Sequence, residues 1–273
     1  MKSRAEINRD QLSVLLAGAT LSFILSRVLQ LPTQQVGFRV LGSPLGVELS
    51  TRWLMTAFVV GLVITGTHSL LLTHPLCRQG QVRRTLVFWI LPGLTALVTG
   101  ALLARPGSLW VWLPTMIAGI VALGVVTANE FRLVDAAELK RPGLQLLTAL
   151  SVYGLALALL TLIYATRART LLVGPAAFAA CGLLAMRLLW NATQKLRRVA
   201  LYGGVVALVL SQAMWALNYL LLRPLPGGLL LLLVFYVTTG LAQQSLLGRM
   251  SRRVLVEHGV VALAAAVVVL SLR

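Results

Sequence analysis

Four pairs of polar residues stand at the ends of long apolar runs: His68 with His74, Asn129 with Glu130, Gln243 with Gln244, and Glu257 with His258. Carboxyls and imidazoles gathered at one membrane surface can relay protons or ligate a divalent ion, because both groups titrate or coordinate near neutral pH. The simpler account is that polar side chains at helix ends are satisfied by headgroups and water. A second cluster is Gln212, Trp215, Asn218 and Tyr219. Helical spacing puts Gln212, Trp215 and Tyr219 on one face with Asn218 beside it. Turned inward, that face would hydrogen-bond across helices or line a cavity for a polar-headed ligand. Turned outward, Trp215 and Tyr219 would join an aromatic belt with Trp110 and Trp112.

Beyond these residues the chain is poor in catalytic vocabulary. It has no phosphate-binding loop with a Gly-Lys-Ser/Thr ending, no His-Glu-x-x-His, and no Gly-x-Ser-x-Gly setting for a serine nucleophile. Its three histidines are too few and too scattered for a haem pair or a histidine-rich metal centre, so no metal or cofactor is assigned. No Asp, Glu or Lys falls in the middle of an apolar run, which speaks against an ion-coupled transporter of the usual sort. The two cysteines, Cys77 and Cys181, give no disulfide framework.

The elements that must position these residues are membrane spans. The chain is 58% hydrophobic and 11% charged, with a mean hydropathy of +0.88, far outside soluble composition. Apolar runs cover about 11–30, 53–73, 85–104, 110–128, 143–166, 171–190, 199–222, 228–247 and 254–272. Most have the length that crosses about 30 Å of hydrocarbon as a helix, and lipid leaves helices as the economical spanning structure. The expectation is an all-α, polytopic transmembrane helical bundle of about nine spans, forming one domain over residues 1–273.

Charge sets the orientation. Of the 24 Lys and Arg residues, sixteen fall on the side of the N-terminus and eight on the other. Positive residues stay in the cytoplasm, so the N-terminus is expected inside and the four polar pairs at the cytoplasmic leaflet. The net charge of +17 is spread in small groups between apolar runs, with no basic stripe to follow a phosphate backbone; nucleic acid is excluded as a partner. The basic start and Ala17-Gly18-Ala19 suggest a signal peptide, yet the apolar run continues to Leu29, and an uncleaved first span is expected.

Between the first two spans, Val36, Phe38 and Val40 alternate with smaller or polar residues, Gly42 to Gly46 interrupts, and Val47 and Leu49 alternate again. That pattern predicts a short β-ribbon on the outer surface, capping the bundle or closing over an outward cavity. Small residues at four-residue spacing, Gly18-Ser22-Ser26, Gly124-Ala128 and Gly154-Ala158, predict close helix seams. Pro92 should kink the third span.

The segments Val40-Leu41-Gly42-Ser43-Pro44-Leu45, Arg52-Trp53-Leu54, Trp89-Ile90-Leu91-Pro92-Gly93, Glu130-Phe131-Arg132-Leu133-Val134-Asp135 and Phe235-Tyr236-Val237-Thr238-Thr239-Gly240 resemble a group of multi-spanning bacterial membrane proteins known only as a domain of unknown function. The resemblance covers most of the chain and implies a bacterial cytoplasmic (inner) membrane. It transfers no catalytic residue. The sequence therefore points first to a non-catalytic binding, scaffold or accessory subunit, or a permease for an amphipathic or apolar compound. Its partners would be the lipid bilayer and other membrane subunits. The alternative is a membrane-embedded enzyme acting on lipid headgroups through Glu130, Glu257, His68 and His258.

Overall fold

The computed structural model describes residues 7–29, 34–40, 43–49, 51–78, 85–105, 107–135, 141–166, 170–220, 222–248 and 259–260. Its long helices are α1 (Arg9–Val28), α2 (Thr51–Leu72), α4 (Ile90–Leu103), α5 (Leu109–Arg132), α6 (Pro142–Ala165), α7 (Thr170–Trp190), α8 (Leu196–Tyr219) and α9 (Pro224–Leu246). A single turn, α3 (Pro75–Arg78), follows α2, and a 3₁₀ segment, Thr85–Trp89, leads into α4. Among the described residues eight helices are long and apolar enough to cross a membrane, the third counted from Leu86 through α4. This is the build of a multi-pass integral membrane protein. The ninth expected segment, 254–272, lies outside the described residues except for 259–260.

Local chemistry sets the helix ends. Asn8 caps α1 through a side-chain oxygen that accepts from the backbone N–H of Asp10 at 3.2 Å and of Gln11 at 3.4 Å. Pro142 and Pro224 open α6 and α9, where a missing N–H would have had no helical partner anyway. Pro92 behaves the same way. It sits in the first turn of α4, where the span changes from 3₁₀ to α winding, and not in the helix interior. The helices that do carry an interior proline are α5, at Pro114, and α7, at Pro175.

Between α1 and α2 run two antiparallel strands, β1 (Gln34–Val40) and β2 (Ser43–Leu49), with Val36 opposite Val47 and Phe38 opposite Leu45. Val40 pairs with Ser43, so Ser43, Pro44 and Gly46, expected to interrupt the ribbon, belong to β2. Each strand of a two-stranded ribbon keeps one unpaired edge, where the missing N–H of Pro44 is tolerated.

The chain divides into two compact units, Met1–Ala136 and Ala137–Arg273. In the first, α1, α2, α4 and α5 form a ring in which each helix packs on the next and α5 returns to α1. Its core joins Leu15, Phe23, Val63, Ala96, Met116 and Leu123 from all four helices. In the second, α6, α7, α8 and α9 form a ring of the same order, again with the second and fourth helices touching across it. Small residues permit the close seams. A methyl group at Gly100 would overlap Thr56, and one at Gly119 would overlap Thr99. Of the seams read from spacing, that at Gly124 is close, since an added methyl group would lie 3.2 Å from Leu16, whereas one at Gly154 would meet nothing within 4 Å.

Two arginines on the side opposite the N-terminus have structural work. Arg52 donates from Nη1 to the Ala104 carbonyl at 2.9 Å, which satisfies an end group of α4. The guanidinium of Arg27 lies over the Trp112 ring, 5.1 Å from its centre, tying the end of α1 to the start of α5.

Candidate functional site

Three of the expected polar residues are held in one tier of the first unit. Contacts of Gly93 with Ile64 and of Gly100 with Thr56 fix the antiparallel register of α4 on α2, and Gly119 on Thr99 fixes that of α5 on α4. Carried along the helices, that register puts Thr67 and His68 of α2 level with Trp89, and Thr127 and Glu130 of α5 level with both. His68 and Trp89 meet edge to face at 4.8 Å, as the register requires. Glu130, Thr127, Thr67 and Asn129 are all buried, Glu130 completely so.

This tier carries more polar atoms than it satisfies. Thr67 Oγ1, His68 Nδ1, Trp89 Nε1 and Thr127 Oγ1 are buried and have no hydrogen-bond partner among the described residues. Buried polar groups of this kind are normally paired, with protein or with water. One turn beyond, His74 is buried, accepts at Nδ1 from the Leu76 backbone N–H at 3.3 Å, and meets the Phe131 ring at 5.0 Å. Burial lowers the His74 pKa below its ordinary value, against an opposing pull from the Asp135 carboxylate. Among the described residues no three His, Cys, Asp or Glu side chains are grouped to hold a metal ion.

The remaining members of the expected cytoplasmic pocket belong to the second unit or lie outside the described residues. Gln243 and Gln244 are half-buried in the last turns of α9, in the second unit. Next to them Tyr202 of α8 and Ser245 of α9 share a hydrogen bond of 3.0 Å. Glu257 and His258 lie outside the described residues.

The Gln212 face does not line the core of the second unit. The buried side of α8 is Val199, Gly203, Val206, Ala207, Leu210, Met214 and Leu217. The opposite side carries Gln212, exposed, with Trp215 and Tyr219 exposed at 52% and 74%. Asn218 is half-buried. Trp215 and Tyr219 lie 6.4 Å apart. The spacing was sufficient to group these residues but not to choose their side, because both faces of α8 are otherwise apolar. The interior tie between α6 and α8 comes instead from Tyr164, whose hydroxyl sits 2.7 Å from the Leu220 carbonyl and 3.1 Å from that of Leu217. Arg187 is fully buried within α7 and donates to Asn191 Oδ1 at 3.0 Å.

One feature of the first unit went unread in the sequence. A groove of about 830 Å³ runs between α1 and α2. One end is polar, formed by Asp10, Gln11 and Ser69; the rest is walled by residues such as Val14, Leu62 and Phe58. Its floor is opened by Gly18 and by the series Gly61, Thr65, Ser69, which recurs every four residues on α2. That spacing was the available signal. Unlike a packing seam, it is not filled: a methyl group at Gly61 would meet nothing within 4 Å, and one at Gly18 would only touch Leu62 at 3.7 Å.

Comparison with known proteins gives no activity to transfer. No curated protein and no solved structure matches the chain. Residues 31–272 match a family described as "Protein of unknown function (DUF5656)", a match that takes in α2 to α9 and leaves out α1. On that match, the chain is a member of the DUF5656 family, whose function is unknown.

Proposed function

We propose that the protein is a non-catalytic binding component of a bacterial cytoplasmic membrane, acting as an accessory subunit or permease that holds an amphipathic molecule in the α1–α2 groove. The observation that carries this reading is the groove itself. Its volume of about 830 Å³ falls in the range of small-molecule sites, and its lining passes from polar to apolar along one direction, as an amphiphile does. The two-to-one split of basic residues supports placing the Asp10 end at the cytoplasmic leaflet. The resemblance of its short segments to bacterial multi-spanning proteins supports the choice of membrane.

The test uses Gly61, where added bulk enters the groove without a clash at its own Cβ. The full chain and its Gly61→Trp variant are purified in mild detergent, and retained lipids and other small molecules are identified by mass spectrometry. A near-stoichiometric amphiphile on the parent chain that is lost from Gly61→Trp is the expected result. Equal retention by both proteins would refute the groove as the site.

A further inference from the structure

We propose that the polar end of the groove selects an amphiphile headed by a primary ammonium group, the chemistry of an ethanolamine-headed lipid. This rests on the groove reading above and adds the identity of the head. The register of α1 on α2, set by Leu15 against Gly66 and Leu62 against Gly18, brings Gln11 level with Ser69. Asp10, Gln11, Thr65 and Ser69 therefore form one end of the groove.

Most of the polar capacity there is for accepting hydrogen bonds. The Asp10 carboxylate accepts only. Gln11 Oε1 is buried and has no hydrogen-bond partner among the described residues. Thr65 spends its hydroxyl proton on the Gly61 carbonyl at 2.9 Å, which leaves its oxygen free to accept. Among the described residues no Lys or Arg lines the groove.

An anionic head would meet a carboxylate and a buried acceptor with nothing to donate to either. A quaternary ammonium carries the matching charge but no N–H. A primary ammonium has both: one positive charge beside Asp10, and three donors for Gln11 Oε1 and its neighbours. A buried acceptor left unpaired is unfavourable, so the N–H donors, more than the charge, should discriminate between heads.

The experiment offers the full-length protein, in detergent, an equimolar mixture of ethanolamine-, choline- and glycerol-headed phospholipids with identical acyl chains. Native mass spectrometry reads which are retained. The ethanolamine lipid should be favoured over the choline lipid by about tenfold, the worth of one charge-assisted hydrogen bond. The double variant Asp10→Asn/Gln11→Leu should lose that preference among the lipids it still retains. Gln11→Glu, which adds a second carboxylate, should sharpen the preference.

No preference in the parent chain, or one that survives the double variant, overturns the proposal. Soluble ethanolamine should fail to displace the lipid at millimolar concentration; displacement would mean that the site takes a free amine and would overturn the lipid assignment. Gly61→Trp separates the two levels of inference. Retention there refutes the groove, whereas loss of all lipids there with no head preference in the parent refutes only the head selectivity.

Discussion

Gly228→Ala should loosen the second unit although it adds a single methyl group. Gly228 is buried in α9 against α6. A Cβ there would overlap Thr161 Oγ1 and lie 3.0 Å from Thr161 Cβ and 3.1 Å from Thr161 Cα. Rotating Thr161 relieves only the first contact, because the last involves backbone. The two helices must therefore part. Overpacking of this kind costs about 1–3 kcal/mol. Alanine's better helix propensity returns about 0.8–1 kcal/mol. The net expectation is about 1 kcal/mol of destabilisation, or about 2–4 °C in unfolding temperature for a chain of this size.

Cys181 supplies the assay. It is fully buried in α7, so a thiol-reactive fluorophore reports the opening of the second unit during heating, in a Cys77→Ser background. Gly154→Ala is the control, since its added methyl meets nothing within 4 Å and should leave the transition unchanged or slightly raised. Thr161→Ala should recover part of the loss in the Gly228→Ala background. On its own it should change little, because Thr161 Oγ1 has no hydrogen-bond partner among the described residues. A Gly228→Ala transition at or above that of Gly154→Ala would refute the packing argument.

Two further expectations concern pH and orientation. His74 has an ordinary value of 6.5, and burial lowers it in the folded unit. As pH falls below 6.5 the unfolded chain takes up a proton that the folded chain resists, so stability is full above that value and declines toward the folded pKa. Thermal melts followed by tryptophan fluorescence between about pH 8 and 5 should show a shallower acid decline for His74→Gln than for the parent; coincident curves would remove His74 as the cause. Single cysteines at Ser108 and at Gln79 should label from opposite sides of intact and permeabilised cells, with Ser108 reactive from outside. Labelling of both from one side would overturn the orientation drawn from the basic residues.

The sequence by itself determined the spans. The eight long helices among the described residues start and end within five residues of the apolar runs read from composition. The reason is that a run of about 20 apolar residues has one economical fate in lipid, and its length is set by bilayer thickness rather than by neighbours. The alternation between Val36 and Leu49 likewise carried the strand pairing, because period two is a local property. What the sequence could not carry was direction. In a soluble helix the polar side marks solvent, but here core and lipid are both apolar and the helical stripe that would tell them apart is erased. Gln212, Trp215 and Tyr219 were grouped correctly by spacing and yet turn away from the core of their unit. Gly154 and Gly61 look alike as small residues in apolar helices, and only packing shows that the first lines no seam and the second opens a groove. Tertiary structure also decided that Arg187 is buried within α7 and that Thr67 and Thr127 share a tier with His68 and Glu130. Each of these depends on which helix lies beside which, and helix pairing is settled by shape and by buried polar partners that no single segment contains.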